Sequence, residues 1–151
     1  MKILVKLAGA AALVLGVLLP AQAGALSPAD AKALHDYTLS MDKVKAMQAA
    51  QDDIGKDPSL KNQSLNGAQS IAQMEAMIGG NPRLVAIYTR HGLSAADVVL
   101  MPFVLMSAGT AAQYPTAAAK LSDRTSPAQI TFFKTHETEL KATKWLYGSG
   151  Q

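Results

Sequence analysis

The chain has 151 residues, no cysteine and a formal net charge of +3. Without cysteine it can form no disulfide, no thiolate metal site, no covalently attached c-type haem and no cysteine nucleophile. Lys and Arg are not concentrated in any stretch, and aromatic residues make up only 5% of the chain. The sequence therefore lacks the basic stripe and the stacking aromatics of a nucleic-acid-binding protein.

The first 23 residues have the three parts of a secretory signal peptide. Lys2 and Lys6 supply the positive start, residues 4–19 form the apolar run, and Ala21-Gln22-Ala23 has the small-x-small pattern that signal peptidase recognises. A retained N-terminal anchor is the weaker alternative, because a membrane-spanning helix needs roughly 20 apolar residues. We expect cleavage after Ala23 and a periplasmic or secreted protein with no stable membrane anchor.

Removal of the leader changes the charge and the hydrophobic centre of the protein. Residues 24–151 carry 12 basic and 11 acidic side chains, so the mature chain is almost neutral. Their length suits one domain with a core large enough to fold without disulfides. We expect a single helical domain over 24–151 that ends in a flexible, glycine-rich tail at 148–151.

Helix signals dominate the first part of this domain. Ser27-Pro28 predicts the cap and first residue of a helix that ends near Tyr37, and Ser40 predicts the cap of a second helix that stops at Gly55. One long kinked helix across both segments is the alternative, since no strong breaker separates them. Residues 58–67 are polar and rich in turn formers, which predicts a loop.

Two shorter helices follow the loop. The first covers about 68–78 and ends at Gly79-Gly80, and the second starts at the cap-then-proline pair Asn81-Pro82. Gly92 is suited to the left-handed conformation that often terminates a helix, so it predicts the end of this second helix.

The stretch 98–112 carries no charge and is the most apolar part of the mature chain. A helix that is apolar on all sides is either buried at the centre of a protein or crosses a membrane. Because 15 residues are short for a span, we expect a buried central helix over about 95–112, bent at Pro102.

The remaining signals complete an all-α domain. A short alanine-rich piece at 116–121 precedes a final helix from Ser126-Pro127 to about Lys144, and residues 145–147 are expected to fold back over the core. The sequence predicts a small bundle of five to six short helices around the central apolar helix.

Methionine provides the first candidate site. Met74 and Met77 would place two thioethers on one side of a helix, and soft sulfur ligands select Cu(I). His136 adds a candidate imidazole, although the zincin motif is incomplete there because its second histidine is missing. The alternative is that the methionines fill gaps in the core and that His136 is a half-buried structural residue.

A groove for a small apolar ligand is the second candidate site. Pro102 would bend the central helix, and the small residues Ser107 and Gly109 would leave room beside it for a mostly apolar pocket. The alternative is close packing between helices, which small residues also permit.

Signatures of catalysis are missing from the sequence. It contains neither a Gly-x-Ser-x-Gly elbow nor a glycine-rich phosphate loop, and the adjacent Asp52 and Asp53 diverge on a helix. Asp97 is explained as a capping acid, and His91 by the end of a helix, where positive charge is favourable.

We therefore expect a non-catalytic protein of the bacterial periplasm, without a cofactor, that has a binding or protein-interaction role. Its partner would be an envelope protein or a small apolar ligand, and nucleic acid is not expected as a partner. A carrier of Cu(I), or of a small apolar ligand, is the alternative function.

The segment Gly92-Leu93-Ser94-Ala95-Ala96-Asp97, followed by the apolar helix, resembles a pattern in uncharacterised exported α-helical proteins of Gram-negative bacteria. In that group a Gly-Leu-Thr or Gly-Leu-Ser cap precedes an acidic residue, an aromatic residue and an apolar helix. Val98 stands here in the place of the aromatic residue. The resemblance implies an exported helical domain, and no activity or binding residue is carried over from it.

Overall fold

A computed structural model describes residues 26–60, 65 and 67–147. Those residues form nine α-helices and a 3-10 turn at Pro58–Leu60, and they contain no strand. The helices in chain order are α1 (Pro28–Asp36), α2 (Met41–Lys56), α3 (Ile71–Gly79), α4 (Pro82–Arg90), α5 (Ala95–Gln113), α6 (Pro115–Lys120), α7 (Pro127–Thr135), α8 (Glu137–Lys141) and α9 (Lys144–Tyr147). The predicted all-α class is confirmed. The predicted leader at 1–23 and the predicted tail at 148–151 lie outside the described residues.

Local capping determines where most of the long helices begin. In five of them a serine hydroxyl accepts a hydrogen bond of 3.0–3.3 Å from the backbone N–H three residues later, and these caps are Ser27, Ser40, Ser70, Ser94 and Ser126. Each cap satisfies one of the N–H groups that a helix start leaves without a partner. Helix α4 begins in a similar way, because the Asn81 side chain accepts from the N–H groups of Arg83 and Leu84.

One predicted boundary is confirmed by the structure, and another differs from it. The first two helices are separate, because the backbone is extended at Tyr37 (φ −66°, ψ 129°), so the alternative of one long kinked helix is wrong. The last helix, predicted to run from 127 to about 144, is divided into α7 and α8 at His136 (φ −109°, ψ 16°). The β-branched Thr135 and Thr138 flank this break and have low helix propensity. This division, together with the short helices α6 and α9, explains why the described residues form nine helices where five to six were predicted.

Helix α5 lies at the centre of the domain and contacts α1, α3, α4, α6 and α7. Met101, Val104, Leu105 and Ala108 on this helix are completely buried. Among the described residues α5 is the one helix with the length and hydropathy of a membrane span, but 56% of its most apolar 18-residue stretch is buried inside the domain. This burial confirms the predicted central helix, which continues through Pro102.

The second half of α5 departs from the prediction that the helix is buried on all sides. Met106 is 56% exposed, and Tyr114, which follows the helix, is 59% exposed. Thr110 lies between them and is also exposed. The neighbouring helices therefore bury every residue from 97 to 101, whereas they leave one side of the second half of α5 exposed.

Helices α5 and α7 approach each other closely at Gly109. A Cβ atom at this position would lie 2.8 Å from Cε2 of the Phe133 ring, which is closer than two carbon atoms can pack. Phe133 is itself almost completely buried. The absence of a side chain at Gly109 is thus what makes room for the ring.

The buried side-chain amide of Gln129 links α7 to the end of α1 through hydrogen bonds. Gln129 donates from Nε2 to the backbone oxygens of Leu34, His35 and Tyr37 at 2.8–3.1 Å, and its Oε1 accepts from the N–H of Ser126. The last carbonyl groups of a helix have no hydrogen-bond donor within the helix, and at the end of α1 the side chain of Gln129 is that donor.

Helix α9 folds back over the core, as the sequence predicts, and it packs on α2. The indole N–H of Trp145 donates to the backbone oxygen of Val44 at 3.2 Å, and its backbone N–H donates to Oε1 of Gln48 at 3.3 Å. Trp145 and Leu146 are partly buried against the core.

The close approach at Gly109 generates a stability prediction. Gly109→Ala should lower the free energy of unfolding by about 1–3 kcal/mol, because the added methyl overpacks the site and displaces the Phe133 ring. Gly55→Ala is the matched control: no atom lies within 4 Å of its added Cβ, and it should raise stability by about 0.4–1 kcal/mol. Urea unfolding followed by circular dichroism measures both. Equal stabilisation of the two variants would show that α5 and α7 are not in close contact.

Candidate functional site

The end of α2, the turn after it and one side of α4 enclose an open groove of about 530 Å³, which we name the α2–α4 groove. Three cations, two carboxylates and three apolar residues line it: Asp53, Lys56, Asp57, Pro58, Arg83, Ala86, Ile87 and Arg90. Its volume equals that of a ligand-binding cleft, but the groove is open to solvent, and its lining combines apolar contact with a few charged groups.

The arginines of the groove follow from the periodicity of α4. Arg83 and Arg90 are seven positions apart, so they lie on the same side of the helix about 10.5 Å apart along its axis. Ala86 and Ile87 occupy the turn between them. Both guanidinium side chains are about two-thirds exposed, at 67% and 66%. The helix thus presents two separated cations on either side of an apolar surface.

Asp57 lies at one end of the groove. Its Oδ1 accepts hydrogen bonds from the N–H of Ser59 at 2.9 Å and from its hydroxyl at 2.6 Å. Arg83 Nη1 lies 3.4 Å from Asp57 Oδ2 and donates a shorter hydrogen bond of 2.8 Å to Ser59 Oγ. The donation from Ser59, assisted by the charge of Arg83, lowers the pKa of the Asp57 carboxyl.

Asp53 lies at the other end of the groove. Its Oδ2 lies 2.9 Å from His91 Nε2, and its Oδ1 accepts from Lys56 Nζ at 3.0 Å. Arg90 Nη1 approaches Asp53 at 3.8 Å, which is beyond hydrogen-bond distance. His91 and then Lys56 lower the pKa of the Asp53 carboxyl. His91 is also the C-cap of α4, the end of a helix at which positive charge is favourable.

The arrangement is suited to holding an anion. Lys56, Arg83 and Arg90 outnumber the two carboxylates, so the groove carries excess positive charge. A guanidinium has five N–H donors, and the contacts of Arg83 and Arg90 leave most of them available. Carboxylate and phosphate groups match this donor geometry.

A second polar cluster surrounds Asp97, at the first turn of α5. The N–H and hydroxyl of Ser94 donate to Asp97 Oδ2 at 2.9 and 2.8 Å, which completes the predicted cap. Tyr37 donates to Oδ1 at 2.8 Å and Lys43 Nζ at 2.6 Å. Because Asp97 is buried and has partners in three parts of the chain, this cluster ties the α1–α2 junction to the central helix.

The electrostatics of the Asp97 cluster favour a carboxylate that stays ionised. Burial by itself would raise the pKa of Asp97. The hydrogen bonds donated by Lys43, Ser94 and Tyr37 have the opposite and larger effect, so the pKa falls to about 2. Burial and the neighbouring carboxylate raise the pKa of Tyr37. These groups hold fixed protonation states near neutral pH, which is typical of a structural ion pair.

The structure places the predicted metal ligands in different surroundings. Met74 is partly buried against the core, whereas Met77 is 41% exposed. His136 lies between α7 and α8, with its ring 4.7 Å from that of Phe132 and its Nδ1 3.3 Å from Glu139. No group of three or more His, Asp or Glu side chains among the described residues could hold a metal ion. That result concerns imidazole and carboxylate ligands, so Cu(I) binding through methionine stays a prediction.

The predicted apolar-ligand groove involves a different face of the domain from the α2–α4 groove. Pro102 and Ser107 on α5 are partly buried, and Gly109 is covered by the Phe133 ring. Close helix packing accounts for Gly109, while the apolar-ligand groove stays a prediction.

The α2–α4 groove was not predicted from the sequence, although the sequence pattern of α4 indicates one of its two sides. The i, i+7 spacing of Arg83 and Arg90, beside the inward-facing Leu84 and Ile87, predicts two cations on one exposed side of α4. The pairing of Asp53 with His91 joins positions 38 apart and has no local signal.

Comparison with family models, with curated proteins and with solved structures finds no match for this chain. The roles of its residues therefore rest on the geometry described above.

The Asp97 cluster predicts how stability depends on pH. The folded-state pKa of about 2 lies below the ordinary value of 3.8, so the cluster stabilises the fold above about pH 4, and this contribution is lost as the pH falls toward 2. Asp97→Asn should therefore cost about 2–3 kcal/mol at pH 7 and should weaken the loss of stability between pH 4 and 2. Urea unfolding across this pH range measures both effects.

Asp52→Asn is the matched control, because Asp52 is exposed on α2 and accepts one hydrogen bond from Gln48. It should change stability by less than about 0.5 kcal/mol. If Asp97→Asn behaves in the same way as this control, the cluster does not stabilise the fold.

Proposed function

We propose that this protein is an exported, non-catalytic binding protein of the bacterial periplasm that recognises an anionic partner through the α2–α4 groove. The observation that carries the proposal is the pair of exposed guanidiniums, Arg83 and Arg90, on either side of the apolar surface at Ala86. The leader-like sequence at 1–23 supports export, and the all-α fold is compatible with a small periplasmic domain.

The charges of the groove favour binding over proton transfer. The pKa values of Asp53 and Asp57 are both lowered, so these carboxylates have no proton to donate near neutral pH. The guanidiniums of Arg83 and Arg90 do not deprotonate in proteins. General acid–base catalysis needs groups that change protonation near the working pH, whereas fixed charges are suited to holding a charged partner.

The openness of the groove favours a protein partner over a small molecule. Small-molecule sites bury most of their ligand, and a shallow groove with exposed arginines cannot. Arginine is enriched in protein–protein interfaces, where its alkyl stem and its charge both make contacts. An envelope protein is therefore the proposed partner.

A photocrosslinking residue placed at Ala86 tests this function in cells. Ala86 lies in the groove on α4, and it should give a discrete adduct with one envelope protein. Ala119 is the matched control, since it is also an exposed helical alanine but lies on α6. The adduct should disappear when Arg83 and Arg90 are both replaced by Gln, because the partner's acidic groups then lose their donors. Residues 24–151 recovered from the periplasmic fraction should carry the adduct.

Two results would contradict the proposal. One is the absence of any adduct from Ala86, and the other is the same adduct from Ala119. Recovery of the protein only from the cytoplasm would contradict its export.

A further inference from the structure

Each of the three histidines of the chain lies beside a carboxylate, but one of these carboxylates, Asp53, also lines the α2–α4 groove. The three pairs are His35 with Asp36 at 3.1 Å, His91 with Asp53 at 2.9 Å and His136 with Glu139 at 3.3 Å. The side chain of His91 is the least exposed of the three imidazoles, at 22%. A change in the charge of His91 therefore acts directly on a carboxylate of the groove.

The charged groups that face His91 belong to the last turns of α2 and α4. Asp53 Oδ2 lies 2.9 Å from His91 Nε2, and Lys56 Nζ donates to Oδ1 of the same carboxylate at 3.0 Å. Arg90 Nη1 lies 3.8 Å from Asp53 Oδ2. A single carboxylate is thus shared by three basic side chains, of which Lys56 and Arg90 line the groove and His91 does not.

The other helices that pack on α4 bring no charged group to His91. Helices α3 and α5 carry one charged residue each, Glu75 and Asp97, and neither lies within ion-pair distance of the imidazole. Tyr88, one turn before His91, is buried, and burial raises its pKa to about 12, so it stays neutral.

Among the groups around His91, the imidazole is suited to respond to pH. Imidazole is the side chain that ordinarily changes its charge between pH 5 and 8. The hydrogen bonds from His91 and Lys56 lower the pKa of the Asp53 carboxyl, so Asp53 stays ionised over this range. Arg90 stays protonated, because a guanidinium does not deprotonate in proteins.

Protonation of His91 adds positive charge behind the groove. With a neutral imidazole, the three cations of the groove exceed its two carboxylates by one charge. A protonated imidazole forms a charge-assisted hydrogen bond with Asp53, which is stronger than a bond from a neutral donor. Asp53 is then compensated by a group outside the groove, and Lys56 and Arg90 become more available to an anion. The C-terminal end of α4, where His91 lies, also favours the positive form.

We infer that protonation of His91 raises the affinity of the α2–α4 groove for its anionic partner, so that the groove binds more tightly in mild acid than at neutral pH. The inference rests on the proposed function, since it concerns the regulation of the same groove. It requires no change of fold, because His91 and Asp53 are already in contact.

Binding of an acidic peptide at two pH values tests the inference. The probe is a short peptide of alternating glutamate and glycine, which carries a fluorescent label of constant charge. Its affinity for the purified protein is measured by fluorescence anisotropy near the two ends of the range in which imidazole changes charge. The glutamates of the probe, with an ordinary pKa of about 4.3, stay mostly ionised in this range. The affinity should be about threefold higher at the lower pH, the effect of one added charge close to the anion in largely aqueous surroundings.

Two substitutions of His91 separate its charge from a purely structural role. His91→Gln should keep the affinity measured at the higher pH and lose the increase, because an amide can donate to Asp53 but cannot take up a proton. His91→Lys should show the higher affinity at both pH values, since its positive charge is present throughout. His136→Gln is the matched control: His136 pairs with Glu139 outside the groove, and this variant should keep the full increase.

The outcomes distinguish this inference from the proposed function. An affinity that does not change with pH, or an equal increase in the unsubstituted protein and in His91→Gln, would overturn the role of His91 and leave the groove as a binding site. Absence of peptide binding at both pH values would also overturn the inference. The adduct at Ala86 would then decide separately whether the groove binds an envelope protein.

Discussion

The domain is organised by the need to remove an uncharged helix from water. Residues 98–112 contain no charged side chain, so α5 gains stability only where other helices cover it. Five helices do so, and Met101, Val104 and Leu105 are completely buried as a result. The charged residues then lie on the outer faces of the surrounding helices. Arg83 and Arg90 lie on such a face, because Leu84 and Ile87 of the same helix turn toward the core.

Two buried polar contacts give this apolar packing a definite arrangement. Asp97 joins the first turn of α5 to Tyr37 and Lys43, and Gln129 joins α7 to the last carbonyls of α1. Apolar contacts are not directional, whereas these hydrogen bonds require particular atoms at particular distances. The α1–α2 junction is therefore held from both sides, and α2 is fixed in the position from which its last turn reaches α4. The α2–α4 groove depends on that position.

Features with local causes could be predicted from the sequence, and features with distant causes could not. Ser27, Ser40 and Ser94 identify helix starts because each cap contacts a residue only three positions away. The central helix was also predictable, since a run of uncharged residues needs burial wherever it lies. The break at His136 was missed because single β-branched residues lower helix propensity only slightly. The α2–α4 groove was missed because its two sides come from α2 and α4, and no sequence pattern shows that these helices are neighbours.

The central claim is that two cations on one helix, placed by the burial of α5, form a binding surface for an anionic protein partner. Backbone amide chemical shifts of the isotope-labelled protein, recorded while a glutamate-rich peptide is added, test this claim most directly. The account predicts shifts concentrated at residues 53–59 and 83–91, with little change along α6 and α7. Shifts concentrated on the exposed half of α5 around Met106, or no shifts at any site, would contradict it.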